Sequence, residues 1–312
     1  MSEINCCPSH PAISGVFTCR KISSPIQMLS GVVVFAIICL VTTSVLAQTP
    51  TPVPVLTWRY DQTHAGQNTS ETALTTSNVN PDGFGKLFSV KVDSTVYPQP
   101  LYVPNLKMSD GQTHNVLFVE TSNDSMYAFD ADSNGGANAK PIWVTSLLNT
   151  DHGAASGATA IPWQDTGSPD VAPTIGITGT PAIDPSTNTM YVVGATKENG
   201  AYFARLHAID ITTGAEKSGS PVEIKATVAG TGNGSSGGQL DFSALWENQR
   251  PALALYNGYL YIGFAAHGDN GPWHGWLFSY NASTLAQKSV LCLSPNGSGA
   301  GIWASGIGRA HV

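Results

Sequence analysis

Short apolar runs alternate with polar, turn-forming clusters along most of this chain, and that alternation predicts strands rather than helices. In residues 115–143 the run Val116, Leu117, Phe118, Val119 is broken by Thr121, Ser122, Asn123 and Asp124. It resumes over 126–129 and ends at an Asp- and Gly-rich cluster. Two antiparallel strands joined by a tight turn and closed by a second turn account for the pattern. The pattern returns twice. Residues 188–193 (NTMYVV) precede 206–210 (LHAID) and a Thr-Thr-Gly turn at 212–214, and residues 258–264 (GYLYIGF) precede 276–281 (WLFSYN) and Ala-Ser-Thr at 282–284. Each unit is led by an apolar segment beginning at a proline, and these prolines, Pro100, Pro181 and Pro251, lie 81 and 70 residues apart.

Three units of this size, each a lead strand followed by short strands and turns, predict stacked four-stranded antiparallel sheets. The expected fold class is therefore all-β, a β-propeller of four-stranded antiparallel blades. Composition agrees with this reading. The 312 residues are 42% hydrophobic but only 11% charged, with 32 glycines, as expected for long buried strands joined by tight turns. No segment has a convincing amphipathic helical period.

The stretch Ala128, Phe129, Asp130, Ala131, Asp132 with Trp143, and the stretch 208–214 (AIDITTG), resemble the pyrroloquinoline quinone (PQQ) repeat, Y-V-x-(n)-L-x-A-x-D-x-x-T-G-x-x-x-W. The opening Trp58, Arg59, Tyr60, Asp61 with Asn78 and Val79 is similar to the start of quinoprotein alcohol dehydrogenase-like propellers. The resemblance spans about residues 58–303. It implies that the Ala, Gly and Trp of each repeat lock neighbouring blades together. Unit two has no Trp after Gly214, and unit three carries Ser279 and Asn281 where the repeat has Ala and Asp. For the dehydrogenases of this family the resemblance implies PQQ held between a Trp and a ring disulfide of adjacent cysteines, a calcium ion on Glu, Asn and Asp, and an Asp base. No such cysteine pair stands in the propeller region and no residue can be placed on the catalytic Asp, so no catalytic residue is assigned and enzymatic activity is left open.

Residues 1–47 read as a targeting segment: Arg20 and Lys21 precede an apolar run over 31–41 and a small-residue tail ending at Ala47. A cleaved signal peptide and an uncleaved membrane anchor both fit, and either implies export to the periplasm, cell surface or medium. Residues 48–57 form a Pro- and Thr-rich linker, and residues 58–312 the partial propeller. Alternation over 86–92 predicts one further strand, of the kind that completes a last blade. The residues from Gly301 to Gly306 look like the opening of another blade, so an incomplete ring is expected within this chain.

The whole chain carries a formal net charge of −7, which argues against nucleic-acid binding. Four of the five cysteines fall in the leader, leaving Cys292 alone and no intrachain disulfide framework.

Two clusters carry candidate chemistry. The loop 267–276 packs His267, Asp269, Trp273 and His274 between two strands, a set that could ligate a metal or stack on a planar ligand, or could pack as an ordinary hairpin loop. Asp130, Asp132 and Asn134 match the first half of a calcium loop, yet Pro141 stands where its twelfth-position Glu belongs; the other reading is a turn capped by Asp130. Two long Gly-rich connections, 148–177 and 229–241, read as loops without structure of their own. The G-x-G-x-x-G spelled by 232–237 lacks the following helix that a dinucleotide site needs. The functional expectation is an exported binding or assembly module whose partner is a small molecule, glycan or protein. Its alternative is a quinoprotein alcohol or sugar dehydrogenase, with PQQ and calcium implied by resemblance alone.

Overall fold

The structure, a computed structural model, describes residues 2–6, 52–61 and 63–303. Its framework is three antiparallel meanders. Blade one runs Leu101–Lys107, Thr113–Glu120, Ser125–Asp130, Trp143–Ser146 in spatial as well as chain order. Blade two is built on Ala182–Asp184, Thr189–Glu198, Ala201–Asp210 and Val222–Glu223, and blade three on Ala254–Tyr256, Tyr259–Ala266, Trp276–Asn281 and Gln287–Cys292. Among the described residues there is no α-helix, only three short 3-10 turns, and none is long and apolar enough to cross a membrane.

The apolar runs are continuous because a middle sheet must bury both faces. In blade two Met190 and Val192 pack with Leu101, Val116, Phe118 and Met126 of blade one. The alternate residues Tyr191 and Val193 point the other way, into Leu260, Ile262, Phe264, Trp276 and Phe278 of blade three. Three four-stranded antiparallel sheets stacked face to face, with interleaved cores, are the blades of a β-propeller.

A paired ring and glycine tie blades one and two together. Trp143 donates its indole N–H to the Ile211 carbonyl at 2.9 Å, and its ring lies over Gly214, which has φ +78° and where a Cβ would come within 2.8 Å of the indole. Ring and glycine are thus two halves of one contact. At the next joint the Tyr191 hydroxyl donates to the Ala282 carbonyl at 2.9 Å instead.

Two loop expectations are corrected. Within 148–177 the chain forms strands Thr159–Pro162 and Thr174–Ile175, the former pairing with the far end of Thr189–Glu198. Within 229–241 the Gly-rich run is the turn of a hairpin, Thr227–Ala229 against Gln239–Asp241, pinned by buried Leu240 opposite Val228. Strands of two to four residues made by tertiary pairing leave no periodic trace. The expected strand near 86–92 is Phe88–Val92; it pairs with Ser2–Cys6 and buries Val90 and Val92 against Val119 and Phe129, on the face of blade one opposite blade two. The rest of the leader and residues 304–312, on which a further blade would open, lie outside the described residues.

Candidate functional site

Antiparallel meanders place every other connection at the same end of the blades. Here the turn Asn257–Gly258, with φ +49° and +76°, lies at one end together with the connections 131–142, 185–188, 211–221 and 282–286. The long connections, 147–181, 224–253 and 267–275, gather at the other together with the tight turn 121–124. A single segment, 176–180, threads this loop end and touches all three blades. Gly176 lies against the Asp124 side chain of blade one, where a Cβ would sit 2.7 Å from the carboxyl carbon. The Thr178 hydroxyl donates to the Gln249 carbonyl at 2.9 Å, and Arg250 donates to the Thr178 carbonyl at 3.1 Å. The Thr180 carbonyl accepts from Leu253 N–H at 2.9 Å, while its hydroxyl accepts from Gln99 N–H at 2.9 Å.

Buried polar groups in folded proteins are almost always hydrogen-bonded, so the exceptions mark places to examine. Among the described residues the enclosed side-chain atoms without a partner belong to His64, Glu120, Asp124, Asn248, Gln249 and His267. Five of these six stand at the loop end. Glu120 closes the second strand of blade one, and burial pushes its carboxyl up to about 8. Asp124 follows in the adjoining turn, and burial holds it well above the usual carboxylate range. Asn248 and Gln249 lead into blade three, with His267 directly after its second strand. The His267 Nδ1 stands 3.4 Å from the Asp170 carboxylate, close but not aligned as a hydrogen bond. Glu247, one residue before Asn248, accepts N–H donors from the His274 backbone at 3.1 Å and the Trp276 indole at 3.3 Å. Burial outweighs those donors and pushes its carboxyl up to about 9.

Beside this seam opens a cleft of about 400 Å³, walled by Tyr202, Phe242 and Trp246 and edged by Asn233, Asp241 and Ser243. That volume lies within the range of small-molecule pockets, roughly 300–1,000 Å³.

The loop 267–276 sits at this end, but its side chains go to separate partners. His267 faces Asp170. His274 is fully buried with Nε2 at 2.9 Å from the Asn233 carbonyl and Nδ1 at 3.0 Å from Ser294. Asp269 is exposed in a left-handed turn, φ +57°, and Trp273 is half-buried against Gly299. Among the described residues the one set of three His, Cys, Asp or Glu side chains gathered within metal-ligating distance is His152, His207 and Glu216. Residues 55 and 9 positions apart on different elements gave no motif to read in the sequence.

Asp130, Asp132 and Asn134 are engaged in the turn itself. Asp130 Oδ1 accepts the N–H groups of Asp132 and Ser133, each at 3.0 Å, and its Oδ2 lies 2.7 Å from His114 Nδ1. Asp132 accepts from Asn115 at 2.9 Å, and Asn134 donates to the Ser89 carbonyl at 3.0 Å. Asp130→Ala is expected to cost about 1–2 kcal/mol by stripping these bonds, with the same loss in calcium and in chelator when unfolding is followed in urea. The PQQ set does not fit either. Within residues 52–303 Cys292 is the one cysteine, free and buried in the edge strand of blade three.

No family model matches the sequence, and comparison with curated proteins finds no relative. Among solved structures the chain is similar to a quinohemoprotein alcohol dehydrogenase from Pseudomonas putida HK5, with 18% identity over 65% of this chain and 21% of that one and a TM-score of 0.39. It is similar to a europium-containing methanol dehydrogenase, with 14% identity over 69% of this chain and 37% of that one and a TM-score of 0.41. A quinohemoprotein alcohol dehydrogenase from Comamonas testosteroni gives 11% identity, 64% and 35% coverage and a TM-score of 0.33. The chain thus spans well under half the length of each of these proteins. Its blades are defined by their own strand pairing and interleaved cores, and these likenesses add nothing about its chemistry.

Proposed function

We propose that this protein is an exported binding module whose ligand face is the loop end of the blades. One observation carries the reading: a cleft of about 400 Å³ opens at that end, lined by aromatic and oxygen-bearing side chains. That lining indicates the class of ligand. Aromatic walls from Tyr202, Phe242 and Trp246 beside the oxygen-bearing Asn233, Asp241 and Ser243 suit a small polyhydroxylated molecule, whose apolar ring face stacks while its hydroxyls bond.

A thermal-shift panel of mono- and oligosaccharides on the full chain tests this. One or more sugars are expected to raise the unfolding midpoint of wild type, with Trp246→Ala reducing the shift at least tenfold in sugar concentration. A panel that leaves wild type unmoved would overturn the ligand class. Reduction of an artificial dye with PQQ, calcium and an alcohol, at about 1 per second or faster, would overturn the binding-module reading in favour of a dehydrogenase. Export is proposed from the leader pattern alone, and fractionation of expressing cells should place the full chain outside the cytoplasm.

A further inference from the structure

The joint between blades one and two holds a second polar centre, whose His207 Nε2 and the Asp124 carboxylate both lie near Gly194. Thr145 lies on the edge strand of blade one, and His152 ends the 3-10 turn Thr150–His152 just beyond it. Blade two contributes His207, from its third strand, and Glu216, whose backbone bridges to Ile209 of that strand. His152 Nδ1 stands 2.8 Å and His207 Nδ1 2.6 Å from the same oxygen, Glu216 Oε1. All three ligand atoms lie within 4.8 Å of one another, and the side chains are only 6%, 2% and 9% exposed.

We propose that His152, His207 and Glu216 form a binding site for a first-row divalent cation of the zinc class, clamping blade one to blade two. Two imidazoles and one carboxylate are a donor set that suits zinc and its neighbours better than calcium or magnesium. In a four-coordinate site with bonds of about 2.0–2.2 Å, neighbouring ligand atoms sit about 3.3 Å apart. Reaching that geometry lengthens the two contacts by about 0.5 and 0.7 Å and brings the two imidazole nitrogens, now within 4.8 Å of each other, to the same spacing. Outer partners of the kind that orient metal ligands are already in place. His152 Nε2 lies 2.6 Å from the Thr145 hydroxyl. The Ser220 hydroxyl donates to the second Glu216 oxygen and accepts the Ala208 N–H at 2.7 Å. Cation binding would displace the protons that now lie between each Nδ1 and Glu216 Oε1. Three protein ligands leave a fourth position for water.

Cobalt(II) is the probe, because four-coordinate cobalt on nitrogen and oxygen absorbs strongly in the visible while hexaaqua cobalt does not. Chelator-treated full chain is expected to take up one equivalent with such a band, to lose it to added zinc, and to unfold several degrees higher with zinc than without. Glu216→Gln, which keeps the shape of the side chain, should abolish the band. His152→Gln is read the same way should the first variant not fold. Absence of both band and zinc-dependent stabilisation in wild type would overturn the proposal and leave a carboxylate bridging two imidazoles by hydrogen bonds alone. A band that persists undiminished in a folded Glu216→Gln or His152→Gln would overturn it as well, placing the cation elsewhere.

Discussion

Glu120→Gln is expected to remove about 1.4 kcal/mol per pH unit from the slope with which this protein loses stability between roughly pH 5 and pH 8. The cause is the enclosed Glu120 carboxyl, which burial raises from 4.5 to about 8 and which has no hydrogen-bond partner. Folded chain keeps this proton while unfolded chain releases it, so the contribution is fully present below about 4.5, falls as pH rises to about 8, and is constant above. Glu247, raised to about 9, and Asp124, raised well above 3.8, act in the same sense. Glu216, lowered to about 2, acts oppositely and withdraws its stabilisation as pH falls from about 4.5 towards 2. Wild type should therefore be most stable at about pH 4.5. Urea unfolding at intervals from about pH 4 to pH 9 checks this, and a wild type that gains stability from pH 5 to pH 8 would show Glu120 ionised in the fold.

The second large effect is at the joint between blades one and two. Trp143→Ala should destabilise the folded chain by about 3 kcal/mol, the low end of a buried aromatic deletion because this indole is half-buried. It removes the ring from Gly214, from Phe118 at 5.8 Å between centroids, and from the Ile211 carbonyl. Trp143→Phe keeps most of the packing but loses the indole N–H, for a cost of about 1 kcal/mol. Gly214→Ala should be costly by a separate route, since it forces a Cβ into both a left-handed backbone and the Trp143 ring. Denaturant midpoints of the three variants decide the matter: equal losses for Trp143→Ala and Trp143→Phe would mean that the hydrogen bond, not the ring, holds the joint.

Strands were legible where a run of apolar residues is buried on at least one face. The runs at 116–119 and 190–193 lie in strands packed on both faces, and the run at 260–264 buries Leu260, Ile262 and Phe264 while Tyr261 stays exposed. The second strand of blade two was read too short. Beyond Val193 the chain continues Gly, Ala, Thr, Lys, Glu, with no apolar run, yet pairing extends to Glu198 opposite Ala201. The turn residues Asn199 and Gly200, both at positive φ, form the tight hairpin that sustains it. An ion pair between Glu198 and Arg205 does the rest.

The site was legible in part for a different reason. Composition singled out 267–276, and the loop does stand at the end where unpartnered groups collect. Its partners come from afar: Asn270 donates to Thr166, 104 positions away, and His274 faces Asn233, 41 away. Spacing within ten residues carries no trace of such contacts. Glu120 and Asp124 looked like ordinary members of a strand and its turn, and only enclosure by 176–180 and the neighbouring blade sets them apart.

Amide hydrogen exchange on the full chain, with and without a sugar that shifts its unfolding midpoint, tests the loop-end ligand face most directly. Added protection is expected in 163–175, 231–250 and 266–275, with the short turns at 185–188, 212–214 and 282–284 unchanged. Protection confined to those short turns, at the opposite end of the blades, would contradict it.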